Sequence, residues 1–188
     1  MVDHQFMIKV IAFSVLFTLT VFSQNFPKQE GFTWWKTPAL KGAILVPDSW
    51  HQKSVVKENA LAYFVTKTEI TEKNKEFEIG LTLNVFKEFE KNHGENPLAW
   101  ATKYKKLAIE KGKLLDSWTK KKGPFKSMGF QTEIIRDEKT IITHHLFIFN
   151  PKTGTLYFYL FEAPKTQWQE AWKHGDKMLK LLMIDDEV

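Results

Sequence analysis

The last third of the chain restricts the fold most, because it holds strands that are apolar on both faces. Gln131–Arg136, Thr140–Phe149 and Thr155–Glu162 are rich in β-branched and aromatic residues. Asp137-Glu138-Lys139 and Asn150-Pro151-Lys152-Thr153-Gly154 separate them. These separators are turn chemistry, so the three runs read as an antiparallel meander. Leu146–Phe149 and Leu156–Phe161 are apolar at consecutive positions. Neighbouring strand side chains point to opposite faces, so such runs need cover on both sides.

Two segments can supply that cover. Asn96-Pro97 has an N-cap residue followed by proline at the first helical position, and predicts a helix running to about Trp118. Trp100, Tyr104, Leu107, Leu114 and Trp118 recur at helical spacing with lysines opposite, and Gly112 kinks or frays the helix. A second helix follows Ala163-Pro164, with Trp168, Ala171, Trp172, Gly175, Leu179 and Leu182 on one stripe. Gly175 costs about 1 kcal/mol against alanine there, which is reasonable if the backbone approaches the sheet closely. Lys41–Val46, Ala60–Thr66 and Phe77–Phe86 add three strands, with a turn at Pro47-Asp48-Ser49-Trp50 and a polar connection over Lys67–Glu76. The acidic tail Asp185-Asp186-Glu187 reads as solvated. The expected fold class is α+β: an α/β/α sandwich with a central, mainly antiparallel sheet of about six strands and two long amphipathic helices.

The first 23 residues read as a secretory signal. Lys9 supplies positive charge, Val10–Phe22 is a short apolar run, and Val21 and Ser23 suit a signal-peptidase site that would leave Gln24 first. The run has 13 residues, whereas a membrane-spanning helix needs about 20. Asp3 and His4 are at odds with a positive leader, and a start at Met7 would remove them. The cut site has no cysteine for lipidation and the leader has no twin arginine, so export is expected unfolded through the general pathway. What remains, 24–188, is 165 residues, enough for one domain that buries roughly 70% of its unfolded surface. The expected location is periplasmic or secreted, with no stable membrane span after cleavage.

The chain has no cysteine, which removes disulfides, thiolate metal sites and cysteine nucleophiles together. Its net charge is +5, and every basic residue except Arg136 is lysine. Nucleic-acid sites favour arginine for bidentate contacts, so no nucleic-acid partner is expected, although weak attraction to anionic membranes or glycans fits the charge. Lys120-Lys121-Lys122, followed by Gly123-Pro124, reads as a solvated loop.

The order of elements resembles the PsbP/Mog-like superfamily, which includes DcrB-type periplasmic proteins. The residues that carry the resemblance are Ile44-Leu-Val-Pro47-Asp-Ser-Trp50, the mid-chain helix from Pro97, and Leu146–Tyr157 with Trp168–Leu182. Together they span most of residues 40–184. The resemblance implies an accessory or binding protein and brings no shared catalytic residues.

Candidate sites are few. His144-His145 is an adjacent strand pair, so the two rings face opposite ways and cannot chelate one ion together. Either could combine with Glu133 or Glu162; the alternative is two strand histidines satisfied by ordinary partners. His93 and His174 lack metal-ligand spacing. Ser54-Val-Val-Lys57 and Lys152-Thr153-Gly154 match fragments of a serine-enzyme signature without its remaining box, in a chain too short for that fold. No catalytic residue, metal or cofactor is expected. Among 7 tryptophans, Trp100, Trp118, Trp168 and Trp172 read as core. Trp34, Trp35 and Trp50 fall in or near loops and could hold an acyl chain, a sugar ring or a partner peptide. They could instead plug the amino-terminal segment against the sheet. The leading expectation is an exported, non-enzymatic binding or accessory protein whose partner is an envelope protein or an amphipathic small molecule. The alternatives are a small envelope hydrolase using carboxylate and histidine chemistry, and a structural envelope component.

Overall fold

The computed structural model describes residues 26–57, 60–73 and 76–188, so the expected leader and the Gln24 terminus lie outside the described residues. The strands are β1 (Phe32–Thr37), β2 (Gly42–Pro47), β3 (His51–Lys57), β4 (Ala60–Thr66), β5 (Gly80–Phe86), β6 (Lys113–Lys122), β7 (Phe125–Arg136), β8 (Lys139–Asn150) and β9 (Thr155–Pro164). The helices are α1 (Phe89–His93), α2 (Pro97–Glu110) and α3 (Trp168–Lys180). β3 to β9 form a seven-stranded sheet in the order β3-β4-β5-β9-β8-β7-β6, while β1 and β2 pair separately. All these pairings are antiparallel.

The two-faced strands sit at the centre. Tyr157, Tyr159 and Phe161 of β9 join a core with Leu81 and Leu83 of β5, Ile44 and Leu45 of β2, and Ala171 and Met178 of α3. The intervening Leu156 and Phe158 join a second core with Phe89 of α1, Ala101 of α2, and Phe130 and Phe147 of the meander. Phe147 and Phe158 are register partners, and their rings stack 4.3 Å apart. Aromatic pairs of this kind add to the burial term. Gly175 sits where a Cβ would meet the Phe161 ring at 2.8–2.9 Å, so the close approach expected from the sequence is present.

The structure corrects the sequence reading in several places. The mid-chain helix is capped as expected, with the Asn96 side chain accepting N–H bonds from Leu98 and Ala99, but it ends at Glu110. Trp118 therefore lies on a strand, and Leu107 and Leu114 are exposed instead of core. Gly112 is the reason: a Cβ there would lie 2.4 Å from Ile134 and 2.6 Å from the Glu133 carbonyl. The chain turns tightly onto β7 at this glycine instead of continuing as helix. Lys120-Lys121-Lys122 consequently belongs to edge strand β6, not to a loop. The Lys41–Val46 run becomes β2 of the small ribbon and lies outside the main sheet. That sheet reaches seven strands because β3 and β6, both polar edge strands, join it. The tail is also tied down at its tip: the Val188 carbonyl oxygen accepts bonds from Asn150, Thr153 and Tyr157.

Candidate ligand groove

Of the three tryptophans singled out, Trp50 reaches an open site. It closes the turn from β2 into β3, where its backbone N–H donates to the Pro47 carbonyl at 2.8 Å. Its ring stacks over Phe161 of β9, centroids 6.4 Å apart, and lies 5.4 Å from the His174 ring of α3. With Ile79 and Ala171 it lines a groove of about 360 Å³, whose polar rim is Lys67, Thr166, Gln167, Glu170, Lys173 and His174. Burial, and next the nearby Lys67, hold the His174 ring below its usual range. Lys173 pairs with Glu170 on the surface of α3 at 2.7 Å, an exposed contact of little worth. Lys67 forms no ion pair with any described residue, so the groove has a cation free to meet an anion.

Trp34 and Trp35 are strand residues of β1, not loop residues, and they go elsewhere. Trp34 donates its ring N–H to the Pro27 carbonyl at 2.8 Å and stacks on Phe26. Trp35 meets Tyr63 edge-on at 5.4 Å. Both are half-buried against the core that also contains α3, and no ring contact joins either to Trp50 among the described residues. Trp50, a binding candidate from the sequence, lines this groove, whereas the sequence reading named none of the other lining residues as part of such a site. Lys67, Ile79 and α3 are far apart in sequence, and no spacing rule connects them.

The histidine pair divides between the faces as expected. His144 lies 4.4 Å from the Trp172 ring and 5.1 Å from Trp118, with Gln131 Nε2 3.2 Å from its Nδ1. His145 stacks on Phe130 at 4.3 Å, and its Nε2 is 3.0 Å from the Thr132 hydroxyl. Burial disfavours the charged ring in both, lowering His144 to about 4 and His145 to about 3. For His144, Asp176 and Asp116 oppose that shift; for His145, the neighbouring His144 reinforces it. Glu133 instead pairs with Lys165, and Glu162 with Arg136. The four residues that could have built a hydrolytic centre therefore have separate partners.

A larger cleft of about 680 Å³ opens at the β7–β8 turn, lined by Phe77, Ile141, Arg136, Lys139 and several carboxylates. Its cations are already engaged: Arg136 makes a two-pronged contact with Glu162, and Lys139 bonds Glu78. These carboxylates leave little net attraction for an anion, whereas the Trp50 groove joins an aromatic floor to an unpaired cation.

No protein-family model and no curated protein matches the chain. Among solved structures, it is similar to cyanobacterial PsbP (CyanoP) from Synechocystis sp. PCC 6803, with TM-score 0.53 and 9% identity over 84% of this chain and 95% of that one. The fold is PsbP-like. Two further structures match more loosely. A Pseudomonas aeruginosa protein of unknown function, PA94, has TM-score 0.49 and 9% identity over 82% of this chain and 97% of that one. LpqN, involved in cell envelope biogenesis of Mycobacterium tuberculosis, has TM-score 0.43 and 8% identity over 84% and 80%. Within this PsbP-like fold, Ile44–Trp50, one of the segments that carry the resemblance, holds the groove's aromatic ring. No described helix is long and apolar enough to cross a membrane.

Proposed function

We propose that this chain is an exported, non-enzymatic binding protein that holds an amphipathic, anionic molecule in the Trp50 groove. The observation that carries this reading is an aromatic floor beside the unpaired Lys67. An apolar body could lie against Trp50, Ile79 and Ala171 while its anionic group meets Lys67 or Lys173. The separate engagement of His144, His145, Glu133 and Glu162 supports binding over hydrolysis. The reading treats the molecule as an α/β/α sandwich, supported by β9, which sends Phe161 toward α3 and Phe158 toward α2. Export rests on the leader pattern and the absence of cysteine.

Titration with dodecyl phosphate, followed by tryptophan fluorescence, tests the groove. Trp50→Ala should weaken binding at least tenfold, a loss of about 1.4 kcal/mol. Lys67→Gln should weaken dodecyl phosphate but not neutral dodecyl maltoside. Equal affinity for the parent and Trp50→Ala would remove the groove from consideration. Export is checked by mass spectrometry of the protein recovered outside the cytoplasm, which should begin at Gln24.

A further inference from the structure

Charge is distributed very unevenly along this chain. Residues 103–126 contain nine lysines and two acids, a net +7, against +5 for the whole sequence, so the remainder is net −2. The fold gathers this segment at one end: the carboxy-terminal half of α2, edge strand β6 and the start of β7. Lys106, Lys111, Lys113, Lys120, Lys121, Lys122 and Lys126 are exposed. None of them pairs with a carboxylate of a described residue. Lys121 and Lys126 are direct cross-strand partners, an unfavourable like-charge arrangement that a nearby anion would relieve. The same segment holds three of the six large apolar side chains left exposed among the described residues: Leu107 at 56%, Leu114 at 38% and Leu115 at 39%. On α2, Leu107 stands one turn from Lys103, which pairs with Glu95, and Lys111 follows directly at the end of the helix.

From this coincidence of unpaired lysines and exposed leucines we propose that the β6 edge is a docking surface for a bilayer of anionic lipid. Lysines attract the negatively charged surface, and leucines enter the interfacial layer. An acidic peptide would need the charge but not the leucines. A nucleic acid would favour arginine and open aromatic rings, and here Trp118 lies over Gly129 and against His144. The proposal is independent of the Trp50 groove.

Co-sedimentation of the full chain with vesicles tests it. Equimolar phosphatidylcholine–phosphatidylglycerol vesicles should capture the protein, phosphatidylcholine alone should not, and capture should fall as salt rises. Combined Lys120→Gln, Lys121→Gln and Lys122→Gln should cost about 100-fold in affinity. Combined Lys28→Gln, Lys36→Gln and Lys73→Gln, which removes equal charge elsewhere, should cost far less. Residues 1–25 are common to all variants, so the comparison isolates the edge. Leu107→Ser with Leu115→Ser should remove the binding that persists in high salt. Equal losses in the two lysine variants, absence of vesicle binding, or tighter capture by polyglutamate or duplex DNA would each overturn the proposal. None of these results would bear on Trp50→Ala and dodecyl phosphate.

Discussion

His144 and His145 show how burial turns an ordinary side chain into a pH liability. Both are neutral in the folded protein until about pH 4 and about pH 3 respectively, whereas in the unfolded chain they take up protons near 6.5. Below that pH the unfolded state binds more protons, so stability is full above it and declines as pH falls toward the folded values. The loss should be about 3 kcal/mol per histidine by pH 4.5. Urea midpoints at pH 7 and 4.5 check this against the combined His144→Gln and His145→Gln variant, whose acid sensitivity should be much weaker. An equally steep decline in the variant would assign the effect to other groups. Trp118 makes a related point. Its ring covers Gly129 and meets His144, so Trp118→Ala should raise the His144 titration midpoint toward 6.5, readable by NMR.

At the level of elements, the legible ones were those whose residues face a core. The β8–β9 hairpin, the α2 cap at Asn96 and the α3 stripe all follow from local pattern, because burial forces regular apolar spacing. The edge strands did not. β3 reads His-Gln-Lys-Ser-Val-Val-Lys and β6 is almost wholly exposed, so neither carries the alternation that marks a half-buried strand. Lysine on an edge strand also discourages pairing with other chains. The missed boundary at Gly112 has a measurable counterpart. Gly112→Ala would improve helix propensity by about 1 kcal/mol, yet it should destabilise the protein by roughly 1–3 kcal/mol through overpacking against β7. Thermal melting gives the sign directly, and a higher melting temperature would show that α2 tolerates extension.

Across the whole molecule, two cores share the same strands. β9 contributes Tyr157, Tyr159 and Phe161 to one and Leu156 and Phe158 to the other, so neither can melt while the other keeps its support. Unfolding should be a single cooperative transition. Hydrogen exchange at the central amides of α2 and α3 should converge on the same opening free energy, and separate values would reveal independent units. The arrangement also places the Trp50 groove by α3 and the lysine-rich edge at β6, at the far side of the sheet from β3.

The sequence by itself determined that the meander's aromatic strands would be covered on both faces, that Asn96 would open a helix and that α3 would press a glycine against the sheet. Each of these is a local consequence of side-chain alternation, capping geometry or size. Tertiary structure alone decided that β5 would be the other neighbour of β9, because pairing partners distant in sequence leave no periodic trace. It likewise decided that Trp50, Ile79, Lys67 and His174 would share one groove while Trp34 and Trp35 turned to other neighbours. Convergence of side chains from separate segments depends on the path of the backbone through space, and local spacing does not encode that path.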